Sequence, residues 1–226
     1  MPNLLNLPGY GAMARTSFNT PEESLLVIRC GDAWGHYHPD ESSFWWYYHR
    51  QLLCADADLG GGPLKLQHLG HNVLGFPNHK PVQHLDRAGY QVTACRKTSA
   101  DGYHIRCRIP FPRFDLAGKI VDIPPDQPMP LVIRTFYWDA PETLRIIDEP
   151  TNSPDGLVQW TLHLPAATAH IVEDRAVEFT YAGGLVLRVH LPQGAKQTQL
   201  EKLASTWRLT CIYTQQRLEH CLQVGV

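Results

Sequence analysis

Apolar and polar residues alternate along several short segments of this chain, and that pattern predicts β-strands. Tyr103, Ile105, Cys107 and Ile109 occupy every second position of segment 103–109, and polar side chains fill the positions between them. Segment 185–191 repeats the pattern with leucine and valine. Because successive side chains of a strand point to opposite faces, each segment has one face suited to a core and one suited to solvent.

Short runs rich in Val, Ile, Leu, Thr, Tyr and Trp recur along the chain, with Gly and Pro between them, as is typical of strands joined by turns. We predict eleven strands, over residues 24–30, 43–49, 52–56, 90–95, 103–109, 131–138, 143–148, 157–164, 176–181, 185–191 and 206–213. Many strands at fairly regular spacing favour antiparallel sheets packed face to face, so the predicted fold is mainly β, an antiparallel β-sandwich.

One segment has helical rather than strand spacing. In segment 197–205, Leu200, Leu203 and Ala204 would form a single apolar stripe on a helix. The proline-rich segment 123–130 is expected to be a long loop or a seam between two halves of the sandwich. We expect residues 1–226 to form one β-sandwich domain.

The composition of the chain argues against two classes of binding partner, nucleic acids and membranes. The chain has 226 residues, of which 43% are hydrophobic, and a formal charge of −2 with its 20 Lys and Arg scattered. Nucleic acid is therefore not an expected partner. No segment approaches the roughly 20 apolar residues of a membrane span, and the first residues lack the pattern of a signal peptide, so no membrane partner is expected and the compartment is left open. The six cysteines are widely spaced and are expected to be buried apolar residues.

Histidines and carboxylates supply the candidate chemistry. His36 and His38 are two residues apart, so they point to one side of an extended backbone, and His38, Asp56 and His71 together offer two nitrogens and one oxygen to a metal ion. Asp58 competes with Asp56, which is favoured because it directly follows the apolar run 52–55. His-x-His alone also fits two surface imidazoles on a solvated strand face.

The segment from Gly35 to Asn72 resembles the signature of the heparinase II/III-like polysaccharide lyases. In that family, a Gly-His-x-His-x-Asp segment leads through Ser-Phe into a strand that ends in a carboxylate, and a His-Asn pair follows. The matching residues are Gly35, His36, His38, Asp40, Ser43, Phe44, Asp56, His71 and Asn72. Segments 9–15 and 134–148 resemble strands of the family's C-terminal sheet domain.

The resemblance implies a β-sandwich that forms one wall of a cleft for an acidic polysaccharide, opposite a helical toroid domain that is not among these residues. It also implies β-elimination at a uronic acid, with His36 as the catalytic histidine and His38, Asp56 and His71 holding a structural zinc ion. The family's tyrosine acid and carboxylate-neutralising groups belong to the toroid. We therefore expect cleavage to need a toroid domain or a partner chain.

Two other functions compete with a lyase. One is a noncatalytic carbohydrate-binding or structural sandwich in which Trp34, Trp45 and Trp46 stack on sugar rings, although adjacent strand residues cannot both face outward. The other is a metal-dependent cupin, whose histidine motif is loosely imitated by Gly31, His36, His38 and Glu41. The cupin is disfavoured because Glu41 follows His38 too closely.

Overall fold

Three antiparallel sheets build the chain in the computed structural model, which describes residues 3–31, 40–57, 70–77, 89–111, 128–153, 155–173 and 175–225. The first sheet contains, in spatial order, β1 (Leu4–Leu7), β2 (Gly11–Arg15), β3 (Leu25–Arg29), β4 (Phe44–Tyr48) and β5 (Gln51–Cys54). Its strands follow the order of the sequence, so each is joined to its neighbour by a direct connection.

The second and largest sheet has eight strands, and its order departs from that of the sequence. It runs β12 (Thr168–Glu173), β13 (Ala176–Thr180), β14 (Val186–His190), β17 (Leu218–Gly225), β10 (Thr143–Thr151), β9 (Leu131–Asp139), β8 (Gly102–Pro110) and β7 (Gln91–Lys97). The third sheet runs β15 (Ala195–Lys202), β16 (Trp207–Thr214), β11 (Leu157–Leu164) and β6 (Leu74–Gly75). A short 3-10 turn, Ala182–Gly184, precedes β14.

The core lies between the sheets and is filled by alternate residues of the strands. On β8, the four apolar side chains at odd positions from Tyr103 to Ile109 are buried, whereas Arg106 is exposed. Trp46, Trp138 and Trp160 are the largest side chains that are fully buried. The predicted antiparallel β-sandwich is confirmed, and so is the predicted alternation except at His104 of β8, which is buried although it was expected on the solvated face.

The helix predicted over 197–205 is wrong, because β15 occupies most of that segment. Residues Ala195 to Lys202 pair with β16 along their length, and Leu200 lies opposite Leu209. A full ladder of backbone hydrogen bonds outweighs a weak apolar stripe in an isolated segment. The sequence patterns also missed β1, β6, β12 and β17, and β2 was indicated only by the resemblance of segment 9–15 to a strand of the lyase family. Of the proline-rich segment, only residues 128–130 lie within the described part of the chain.

The cysteines are free thiols, and four of the six are buried. A hydrogen bond with Cys107, followed by burial, raises the pKa of the Cys30 thiol far above its ordinary value. Burial likewise raises the pKa of Cys54 and Cys211. These groups therefore behave as small apolar core residues, as expected.

Hydrogen bonds also join segments that belong to different sheets. The Ala55 amide donates to the carbonyl of His163 at 3.2 Å, and the Thr161 amide donates to the carbonyl of Val73 at 2.9 Å. The Tyr181 hydroxyl donates to the carbonyl of Leu53 at 2.6 Å. Segments 55–57 and 70–73 are thus tied to the third sheet. Within the described ranges, no helix has the length and apolar character needed to cross a bilayer.

A fully buried histidine lies between the second and third sheets. The ring of His220 stacks on that of Trp160, with centroids 3.9 Å apart and planes 8° apart. Neither ring nitrogen of His220 has a hydrogen-bond partner among the described residues. Burial, and secondarily the charge of Arg134, lowers the pKa of His220 well below its ordinary value, so the folded protein keeps this ring neutral.

Acid is therefore expected to destabilise the fold through His220. Below pH of about 6.5 the unfolded chain binds a proton that the folded chain excludes, so stability falls as the pH drops toward the folded pKa. Between pH 7.5 and 5.5, His220 is expected to lower the free energy of unfolding by about 1.4 kcal/mol. Urea unfolding of the protein and of His220→Phe at both pH values measures it. His104, whose pKa burial also lowers, acts in the same direction in both proteins. Equal pH dependence in the two proteins would contradict the assignment.

Candidate active site

Three segments, which lie before β4, after β5 and before β6, come together and carry the candidate site. Asp56 follows β5, and His71 lies shortly before β6. The Oδ2 atom of Asp56 lies 3.1 Å from Nδ1 of His71, and both side chains are buried, with 10% and 2% exposure. The structure therefore brings together two of the predicted metal ligands, which are fifteen positions apart in sequence.

The other carboxylate oxygen of Asp56 is already bound. The Ser43 hydroxyl donates to Oδ1 of Asp56 at 2.5 Å, and the amide of Asn72 lies 3.0 Å from the Ser43 oxygen and 3.3 Å from Oδ1. These donors hold the carboxylate so that Oδ2 is the oxygen turned toward His71.

The side chain of Asn72 fixes the segment that carries His71. Its Nδ2 donates to the carbonyl of Phe44 at 2.8 Å, and its Oδ1 accepts a hydrogen bond of 2.6 Å from the amide of His163. Asn72 is fully buried. It thus links the start of β4 to β11, and the Ser-Phe and His-Asn parts of the sequence signature meet in one network.

Asp40, the last residue of the Gly-His-x-His-x-Asp segment, lies in the electrostatic field of the same pair. Burial raises the pKa of Asp40, and the nearby charge of Asp56 adds to this effect, whereas His71 and Arg29 oppose it. Asp40 therefore lies close enough to Asp56 and His71 to interact with their charges.

Glu41 has a different role from the one that a cupin requires. Its carboxylate accepts a hydrogen bond of 2.9 Å from the amide of Gly31 and lies 3.3 Å from Nη2 of Arg29. Glu41 is thereby bound to Arg29 and Gly31, which precede residues 32–39 in the chain. The three sheets are open, in contrast to the closed barrel of a cupin.

A buried ion pair of the large sheet also contacts the site. Arg134 on β9 and Asp148 on β10 lie opposite one another and are fully buried, with Nε–Oδ1 and Nη2–Oδ2 distances of 2.6 and 2.9 Å. Nη1 of Arg134 donates to the carbonyls of Asn72 at 2.8 Å and Ser42 at 3.3 Å. Sequence reasoning missed this pair, although both charges fall on the inward face of otherwise apolar strands.

The Asp56–His71 pair fits a metal ion. Two ligands of a tetrahedral zinc ion, each about 2.0–2.1 Å from the metal, lie roughly 3.3 Å apart, close to the distance seen here. The same contact also fits a carboxylate that orients a ligating imidazole. In the described part of the chain, no group of three His, Cys, Asp or Glu residues forms a metal site. His36, His38 and Asp58 lie outside that part, so their assignments stay predictions.

The tryptophans of β4 point to opposite faces, as expected. Trp46 is fully buried and cannot stack on a sugar, whereas Trp45 is partly exposed. Trp34 lies outside the described residues.

No family model matches the sequence, and no curated protein sequence does. Several solved structures, in contrast, match the fold of this chain. A heparinase III with methylated lysines superposes with a TM-score of 0.73 over 97% of this chain, at 14% sequence identity. The chain shares its fold with part of heparinase III. A heparan sulfate lyase, HepC from Pedobacter heparinus, superposes with a TM-score of 0.70 over 96% of the chain, at 12% identity.

The chain spans 35% of the length of heparinase III and 35% of that of HepC. Such coverage fits the sheet domain that the sequence signature implied, without the remainder of those proteins. The heparinase resemblance, drawn from a few residues between Gly35 and Asn72, is therefore confirmed at the level of the fold. At sequence identities of 14% and 12%, these comparisons show a shared fold and no more.

Proposed function

We propose that this chain is the β-sandwich part of a polysaccharide lyase that cleaves a uronic-acid-containing, acidic polysaccharide by β-elimination. The observation that carries the proposal is the fold shared over 97% of the chain with heparinase III. The contact between Asp56 and His71 adds support, because it joins two residues of the signature that are distant in sequence. The resemblance makes a helical toroid domain or chain the proposed partner.

β-Elimination requires removal of the C5 proton of the uronic acid and neutralisation of the adjacent carboxylate. In this proposal His36 takes or relays the proton, since an imidazole titrates near neutral pH and can both accept and return it. The toroid supplies the acid and the groups that neutralise the substrate carboxylate. The isolated chain is then expected to be inactive, and the assembled protein active.

The proposed zinc ion is structural. His38, Asp56 and His71 would hold it, and it would supply a cross-link between sequence segment 35–40 and the segments that follow β5 and precede β6. His36 would then be held in place by its neighbour His38. The ion has no part in the proton transfer.

The assay for this proposal follows unsaturated uronate by ultraviolet absorbance. The chain alone, and the chain together with a helical toroid domain sought in the same gene or a neighbouring one, are incubated with heparan sulfate and other uronate polysaccharides. We expect absorbance to rise only with the assembled protein. Retained binding to these polysaccharides with no unsaturated product from either preparation would instead support the noncatalytic sandwich.

Removal of metal is expected to lower the thermal stability of the protein. Because metal binding to the folded state adds to folding free energy, a chelator should lower the melting temperature by several degrees, and His71→Ala should lower it by at least as much without chelator, since it also removes the contact with Asp56. Elemental analysis should find about one zinc per chain, and none in His71→Ala. His170→Ala is the control, since His170 is an exposed residue of β12. Melting that is unchanged by chelator would contradict the zinc assignment.

A further inference from the structure

The ion pair of Arg134 and Asp148 has no part in the proposed proton transfer, yet it contacts two separate segments of the site. Nη1 of Arg134 donates to the carbonyl of Asn72, next to His71, and to the carbonyl of Ser42, next to Ser43. Its other two bonds, from Nε and Nη2, go to the two oxygens of Asp148. The fork to Asp148 fixes the plane of the guanidinium and therefore the direction of Nη1.

A buried ion pair is weak support for stability alone. Removing two charges from water is costly, and apolar side chains of similar volume often stabilise a fold as well or better. Apolar side chains cannot, however, donate hydrogen bonds to carbonyl oxygens. The feature that is specific to Arg134 is therefore its hold on the two loop carbonyls.

The backbone at Ser42 shows that this segment needs such a hold. Ser42 has a φ of 69°, a left-handed conformation that is unfavourable for a residue with a side chain. Residues in such conformations persist where surrounding contacts determine them, and they cluster at functional sites. Here the Ser42 amide donates to the carbonyl of Arg29 at 2.7 Å, and its own carbonyl accepts from Arg134.

We propose that Arg134 is a positioning residue for the candidate active site, with Asp148 orienting its guanidinium. Arg134 holds the backbone of Ser42 and Asn72, and this places Ser43 and His71 around the carboxylate of Asp56. It couples the eight-stranded sheet to the site and touches no reacting atom. This inference rests on the proposed function for its catalytic consequence, but its geometric content is independent of it.

The double variant Arg134→Met/Asp148→Leu separates positioning from stability. Either single change leaves a buried charge without its partner and is expected to lower the melting temperature strongly, whereas the double variant removes both charges and should recover most of that loss. The position of His71, in contrast, should not be restored in the double variant. We expect the His71 imidazole resonances in 15N–1H NMR spectra to shift or broaden, and kcat of the assembled protein to fall about 100-fold with a smaller change in KM.

Arg134→Lys is a second variant, which keeps the charge beside Asp148. A lysine ammonium cannot bind both carboxylate oxygens in a fork while donating to both loop carbonyls, so the same NMR change is expected in a protein that stays folded. Trp138→Phe is the matched control. Trp138 is fully buried and lies four residues after Arg134 on the same face of β9. Its truncation should therefore lower the melting temperature and leave the His71 resonances unchanged.

Unchanged His71 resonances in the folded double variant, or in Arg134→Lys, would overturn the positioning role. Recovery of both melting temperature and kcat in the double variant would do the same, since it would reduce the pair to a stabilising contact. The NMR result does not depend on catalysis. An absence of lyase activity in the wild-type protein would therefore reject the proposed function and leave the test of positioning intact.

Discussion

His36→Ala, made in the complete enzyme, is expected to abolish β-elimination while the fold and the metal content stay unchanged. A general base contributes about 100-fold to 10,000-fold to a rate, and His36 is the residue at the catalytic position of the sequence signature. The initial rate of ultraviolet absorbance increase with heparan sulfate measures the loss. Thermal melting and elemental analysis of the same sample verify that the protein is otherwise intact.

Two matched histidine variants give this prediction its control. His38→Ala should lose metal, melting temperature and activity together, because His38 is assigned to the zinc ion and not to the proton. His170→Ala should behave as the wild type, since its ring is exposed on β12 and pairs with Glu178 at 3.5 Å. Retained activity in His36→Ala would refute the catalytic assignment.

Gly31→Ala is expected to lower both stability and activity sharply. A Cβ at Gly31 would overlap the carbonyl carbon and oxygen of Gly9 and would lie 2.6 Å from the amide nitrogen of Tyr10. All three atoms belong to backbone, so relief requires the turn between β1 and β2 to move away. We expect a loss of about 3 kcal/mol. For a domain of this size, that loss lowers the melting temperature by roughly 10 °C.

The same change should disturb the segment that carries the histidines. Gly31 directly precedes residues 32–39, and its amide donates a hydrogen bond to Glu41, which follows them closely in the chain. Activity should therefore fall further than the loss of folded protein explains. Gly225→Ala is the control, because a Cβ there lies 3.9 Å from its nearest neighbour, the carbonyl oxygen of Val186. If Gly31→Ala and Gly225→Ala melt at the same temperature, the crowding argument is wrong.

Strands with clear alternation could be predicted from the sequence, because one side of each strand faces the core and the other does not. β8 and β14 are examples. β12 could not be predicted in this way, since its residues are mostly exposed and form no buried apolar face. The helix predicted at 197–205 failed because Leu200 finds its partner, Leu209, on a neighbouring strand. A pattern within one segment does not contain that information.

The site could be predicted only in part. The spacing of imidazoles and carboxylates suggested that Asp56 and His71 would meet, and the described residues confirm that contact. The resemblance to the lyase signature supplied the roles, which geometry alone does not. The role of Arg134 could not be predicted, because a single charge in an apolar strand becomes informative only once its register with Asp148 is known.

The place of β17 in the large sheet constrains how this protein is made. β17 lies between β14 and β10, and it is the last of the eight strands to leave the ribosome. Until then β10 and β14 lack the strand that separates them in the sheet, and unpaired strand edges of this kind pair readily with other chains. Premature termination before residue 218 would leave that gap permanent and make the product prone to aggregation.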